Sequence, residues 1–234
     1  MVLTIYFSIE GFGNTTTARG ELLTAVTDIE LLDIVSEIYS DRVRPLYLGT
    51  MCPRQLFVNI VCVNHLRRVG VNHAAVADPT ELLEQINSFS PEEWTVGKET
   101  QTTKPHWLML GRIYQSAAAV YCIASLQSVS MLPPTARAAA LDTYHYERLL
   151  DLIRDAYQFP YFRHCLMWPL VVAGVRAVRG REEDRRLVNE KLAECSREAG
   201  SALPLQAKVM LRRYWESGKT GWDDCFDRSY VFCV

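Results

Sequence analysis

The sequence predicts an all-α fold: one domain across 1–234, a multi-helix bundle of orthogonal or superhelical arrangement. Three observations predict it. Apolar residues recur at three- and four-residue steps over most of the chain. Helix-start signals stand before several of these runs. Two-residue alternation is confined to the ends, Met1–Ile9 and Tyr230–Val234, where it hints at strands.

Taken in order, Thr17 to Tyr39 reads as one helix. Its apolar face is Leu22, Leu23, Val26, Ile29, Leu32, Val35, Ile38 and Tyr39, and Glu21, Asp28, Glu30, Asp33 and Glu37 fall outside it. In Cys52 to Gly70, Pro53 suits a first turn, Arg67 and Arg68 suit the negative end of the helix dipole, and Gly70 is a stop. Asp78-Pro79-Thr80-Glu81 is an N-cap followed by Pro and an acid, and Ser90-Pro91-Glu92-Glu93 repeats that signal. Lys98–Lys104 is polar and predicts a loop. Trp107 to Gln127 is apolar nearly all round, which predicts a central helix. Met131-Leu132-Pro133-Pro134 interrupts it. Thr135 to Phe159 is a second long helix with Ala139, Tyr146, Leu149, Leu150, Ile153 and Tyr157 inward. Shorter helices follow at Arg163–Val178, Glu182–Ala199, Leu205–Glu216 and Trp222–Phe226.

Composition narrows the function. Hydrophobic residues make up 49% and charged residues 22%, the balance of a globular chain. The net charge of -2 lacks the basic excess of a protein that grips DNA phosphates by itself. The seven cysteines are dispersed with no CxxC pair, so reduced and mostly buried thiols of an intracellular protein are expected rather than a zinc site or a disulfide scaffold. The N-terminus has no basic segment of a signal peptide. The longest apolar runs, Ser116–Leu126 and Cys165–Val175, are shorter than the ~20 residues of a membrane span.

Catalytic signatures are sparse. No GxSxG, P-loop or GxGxxG-after-strand pattern occurs. The five histidines form no HExxH and no i, i+4 pair, so no metal is expected. Glu182-Glu183-Asp184 is read as charge placed at a helix N-terminus rather than an acid–base pair. Trp107, Tyr114 and Tyr121 step by seven residues and share a helix face. With Trp168 they are the candidate lining of an interhelical pocket. His145 and Tyr144 are the candidate catalytic residues beside them. No cofactor is called for.

Three stretches then carry a resemblance. Cys52, Pro53, Leu56, Phe57, Ile60, Asn64, Leu66 and Arg67 resemble a C-P-x-x-L-F-x-x-I-x-x-x-N-x-L-R helix. Trp168, Pro169, Leu170, Ala173 and Gly174, then Glu183-Asp184-Arg185, resemble a WPL-x-x-AG … EDR segment. Leu211, Trp215 and Glu216 with Gly221-Trp222 resemble the L-x-x-x-W-E … G-x-x-W end. These are features of the fungal-specific transcription factor domain, the helical regulatory half of fungal zinc-cluster regulators. The resemblance runs from about Arg44 to the C-terminus, and residues 1–43 match poorly. It implies an all-helical domain acting in the nucleus on pathway genes. The six close-spaced cysteines of a zinc cluster are missing before Cys52.

The leading expectation is therefore a regulator-like protein without its own DNA-binding module, tied to a fungal secondary-metabolite gene cluster. It would work through a protein partner or a small apolar ligand, with no membrane and no autonomous nucleic-acid contact. The alternative is a cytoplasmic enzyme on the same scaffold, cyclising an apolar natural-product intermediate between helices without a cofactor. A third reading is an interaction module with no chemistry.

Overall fold

The computed structural model describes residues 2–18, 21, 26–38, 52–70, 77–96 and 104–232. Among them the chain is all-α, with no strand. The helices are α1 (Val2–Thr15), α2 (Asp28–Ile38), α3 (Arg54–Val69), α4 (Pro79–Asn87), α5 (Pro91–Trp94), α6 (Lys104–Ser128), α7 (Ala136–Ala156), α8 (Met167–Arg176), α9 (Glu182–Ala199) and α10 (Leu203–Glu216). Short 3₁₀ turns at Pro160–Leu166, Ala177–Arg179 and Asp223–Cys225 make the corners.

The apolar α6 lies at the centre, packed against α3, α4, α5, α7 and α8. Gly111 to Ile123 is buried along it, apart from the half-buried Arg112. A helix covered on every side needs no polar face, which accounts for its unbroken apolar pattern. Around it, α1 and α2 lean on α3, while α8, α9 and α10 form a second layer.

Local start signals mark the helices they were expected to mark. Asp78 accepts hydrogen bonds from the Thr80 and Glu81 amides at 2.8 and 2.9 Å, and α4 begins at Pro79. Ser90 accepts from the Glu93 amide, and α5 begins at Pro91. Gly70 ends α3 at φ 64°, in the left-handed region that side chains with a Cβ avoid. On α7, Tyr146, Leu149, Leu150 and Ile153 are buried, as is Tyr157 just past its end, whereas Ala139 faces outward.

Three expectations are corrected. The N-terminal strand is instead α1. A short apolar run does not distinguish a strand from a buried helix, and burial from Glu10 to Thr17 against distant helices decides for the helix. Tyr230 to Phe232 is irregular, anchored by the Tyr230 amide on the Thr16 carbonyl at 3.2 Å rather than by a ladder; Cys233 and Val234 lie outside the described residues. The single helix Thr17–Tyr39 is not continuous, because Thr17 and Ala18 are non-helical and α2 starts only at Asp28. Thr27 and Glu30 form a capping box there: the Thr27 amide donates to Glu30 and the Glu30 amide to Thr27 Oγ1, at 2.8 and 3.2 Å. Within α2 the faces also differ from expectation. Ile29 is 46% exposed and Asp28 is fully buried. Leu22, Leu23, Tyr39 and the expected loop from Lys98 to Thr103 lie outside the described residues.

The stretch from Trp168 to Val188 turns a corner between α8 and α9. α8 is buried from Met167 to Val175, and the Asp184 carboxylate accepts from the Arg181 amide at 2.9 Å where α9 opens. Gly174 sits where α8 meets α10. A Cβ there would stand 2.4 Å from Leu211 Cδ1 and 3.2 Å from Val188 Cγ1. Trp215 Nε1 donates to the Gly174 carbonyl at 2.9 Å across the same contact.

Candidate functional site

The densest polar constellation in the interior surrounds Arg67, on the last turn of α3. Its side chain is almost fully buried. Nη1 donates to the Asn14 and Thr15 carbonyls at 3.1 and 2.9 Å and reaches Tyr121 Oη at 3.4 Å. Nη2 donates to the Thr17 carbonyl. Nε donates to Asp223 Oδ1 at 2.9 Å, which makes the ion pair that neutralises the charge. One helical turn earlier, Asn64 Nδ2 donates to the Gly11 carbonyl at 2.8 Å, while its Oδ1 accepts from Tyr121 Oη at 2.6 Å.

The acceptors are the end of α1. A helix leaves its last four carbonyls without intrahelical donors. Here each has one: Thr15 Oγ1 donates to Phe12, Thr17 Oγ1 to Gly13, Arg67 to Asn14, and Arg67 with Trp222 Nε1 to Thr15. Trp168 Nε1 donates to Thr15 Oγ1 at 2.9 Å. A guanidinium at a helix C-terminus also meets the negative end of the dipole. Beside it, Arg68 pairs with the buried Asp28 at 2.5 Å, and Asn14 Nδ2 donates to the same carboxylate at 3.2 Å.

The electrostatics follow from burial and pairing. Burial pushes the Tyr121 phenol up to about 12 even with Arg67 beside it. Burial opposes the Arg67 charge, but Tyr121 and Asp223 outweigh it and raise its pKa. Burial likewise lifts the Asp28 carboxyl, against the pull of Arg68. Tyr121 and Arg67 hold their protons firmly at neutral pH, which suits fixed contacts rather than proton transfer.

The expected pocket residues divide. Tyr114 and Trp168 stack at 6.1 Å, Tyr121 meets Trp168 edge-on at 6.1 Å, and Phe12 packs on Trp168 at 4.9 Å. Tyr114, Tyr121 and Trp168 are at most 3% exposed. A bulky substrate would have to displace these rings from one another. Trp107 joins a different group, edge-on to Trp94 at 5.8 Å. His145 is buried in a third place: Nε2 lies 3.2 Å from Asn87 Oδ1, and Nδ1 lies 3.5 Å from Ser116 Oγ. Burial, with Arg148 nearby, lowers its pKa to about 4. Tyr144 is 54% exposed and touches His145 only ring to ring, at 5.0 Å.

Sequence reasoning missed the α1 terminus. Its signal was Thr15-Thr16-Thr17, three hydroxyls in a row where a helix ends. The Arg67 arrangement recurs in kind. Gln115 Nε2 donates to the carbonyls of Ile86, Asn87 and Phe89 at the end of α4, at 2.8 to 3.2 Å. Arg185 donates to the Ala177 and Val178 carbonyls where α8 closes, at 3.0 and 2.8 Å. Asn64, Arg67, Trp168, Asp184, Arg185, Trp215 and Trp222, all matched in the resemblance, are thus engaged in holding helix ends and helix contacts.

An all-helical domain knit by buried donors at its helix ends is a scaffold with a structural signature. The chain belongs to the family described as the fungal specific transcription factor domain, which matches residues 2–233 and so takes in the α1 terminus. It is also similar, at 35% identity over 228 residues, to a phomenoic acid biosynthesis cluster-specific transcriptional regulator of Leptosphaeria maculans. That alignment covers 94% of this chain and 43% of the relative, so the chain spans under half of the relative's length. No solved structure matches the chain.

Proposed function

We propose that this chain is the helical regulatory domain of a transcription regulator serving a biosynthetic gene cluster of secondary metabolism. The observation that carries the reading is the 35% identity along 94% of the chain to a regulator named for such a cluster. The interior supports it. The residues that give the family its pattern bind helix ends instead of forming a nucleophile, a base and an oxyanion site. The net charge of -2 supports a domain that conveys a signal instead of gripping DNA phosphate. In this reading the domain acts in the nucleus.

Deletion of the gene tests it. Transcripts of the neighbouring biosynthetic genes should fall together, and reintroducing the gene should restore them. Unchanged transcripts with one chemical intermediate accumulating would overturn the regulatory reading and favour an enzyme.

A further inference from the structure

We infer that the outer face of α10 is a docking groove for an acidic amphipathic helix of a partner protein. Leu205 and Val209 are 45% and 60% exposed and lie four residues apart on one side of α10. With Met210 and Tyr230 they floor an open groove of about 280 Å³. Large apolar side chains left together at the surface mark contact sites more often than isolated ones do.

The groove is preformed. Arg213 pairs with Asp227 at 2.6 Å, and Tyr230 Oη donates to the other oxygen of that carboxylate at 2.6 Å. This triad fixes the wall made by Tyr230. Its rim carries positive charge in excess. Arg228 lines the groove and lies over the Tyr230 ring at 5.1 Å, and the exposed Arg212 follows Leu205 by seven residues on the same side of α10; neither forms an ion pair among the described residues. Asp227 is the acid on that rim, and Arg213 already neutralises it.

Size and charge select the occupant. A stable dimer needs about 800 Å² from each partner and roughly 20–30 residues a side, far more than this groove supplies. A helix laid in a groove needs only two or three apolar anchors at i, i+3 or i+4 spacing. Acidic residues flanking those anchors would meet Arg212 and Arg228. The apolar residues lie inside a concavity, which suits the ridge of a helix better than a flat lipid surface. The inference does not depend on the transcriptional role, and the experiment below reads the groove alone.

Fluorescence anisotropy with a fluorescein-labelled synthetic helix of about 16 residues tests it, with Leu at i, i+4 and i+7 and Glu on the flanks. The acidic peptide should bind the whole chain with a Kd of roughly 10–100 µM. Val209→Glu and the double variant Arg212→Glu/Arg228→Glu should each weaken binding at least about tenfold. A version with Lys in place of Glu should not bind. The substituted side chains are exposed, and unchanged melting of each variant confirms that its fold is intact. No binding up to about 1 mM, equal binding of both peptides, or full binding by Val209→Glu would each overturn the inference. So would self-association of the chain that Val209→Glu abolishes, or binding to phosphatidylserine vesicles with none to the peptide.

Discussion

At the scale of the residue, Arg67 and His145 make opposite predictions. Arg67 is a buried charge that donates to three backbone carbonyls and to Asp223. Replacing it with Met leaves the Asn14, Thr15 and Thr17 carbonyls without that donor and Asp223 without its partner. Removing one member of a buried pair costs about 3–5 kcal/mol. Urea unfolding of Arg67→Met should show a loss of that size. Arg67→Lys should recover little of it, since an ammonium cannot fork to several carbonyls and a carboxylate at once. A loss below about 1 kcal/mol would mean that α1 is not held this way. His145 is buried neutral. Its pKa falls from 6.5 to about 4 in the folded chain, so the unfolded chain binds the proton first as pH drops. Its contribution to stability is whole above pH 6.5 and is lost progressively as pH falls towards 4. Between pH 7 and 5 the native chain should lose about 2 kcal/mol more than His145→Gln, which cannot titrate. Parallel losses in the two proteins would place the titration elsewhere.

At the scale of the element, Gly174 sets how close α8 and α10 can come. A methyl there meets Leu211, itself fully buried, at 2.4 Å. Ala gains about 1 kcal/mol of helix propensity over Gly, and overpacking costs about 1–3. Gly174→Ala should therefore lower stability, and Leu211→Val should lower it by removing a methylene. Combined, they should cost less than the sum, because the shorter side chain makes room for the methyl. Strict additivity of the two melting shifts would show that the contact is slack. The same logic separates the elements that were legible in the sequence from those that were not. Asp78 and Ser90 announce α4 and α5 because an N-cap and the amides it binds lie within three residues. The small size of Ala173 and Gly174 is likewise a local property, and α10 comes close to α8 there. Thr27-x-x-Glu30 announced α2 equally well, but the run of apolar spacing from Thr17 masked it. α1 was not legible, since what makes Phe12 a helical core residue is Phe57, Tyr114 and Trp168, each far along the chain. Asp28 looked like a surface acid for the same reason: Arg68 is 40 residues away. The aromatic candidates were legible as a shared face of α6, yet spacing cannot tell a face that lines a space from one that packs on Phe12 and Trp168. The polar site was legible only as matched letters, Asn64, Arg67, Trp168 and Trp222, whose common target is a helix end that none of them is near in sequence.

At the scale of the whole molecule, that helix end joins α3, α8 and the C-terminal segment, which lie far apart along the chain. Residues 11–17 receive hydrogen bonds from Asn64 and Arg67 of α3, from Trp168 of α8, and from Trp222 and the amide of Tyr230 in the C-terminal segment. Each of these donors is buried, so releasing α1 alone would expose a charge, an amide and two indoles that have no second set of acceptors. Breaking them together costs about as much as unfolding the domain, whose total stability is on the order of 5–15 kcal/mol. The N-terminal segment should therefore not fray ahead of the rest, although first helices commonly do. Native-state hydrogen exchange measures this directly. Amides of the last turn of α1 should exchange with the same free energy, and the same dependence on urea, as those of the central α6. In Arg67→Met the α1 amides should separate and exchange through a smaller opening while α6 still exchanges globally. If α1 already exchanges by such a local opening in the native chain, the carbonyls at its end are reached by water, and the Arg67 contacts do not bind the domain into one cooperative unit.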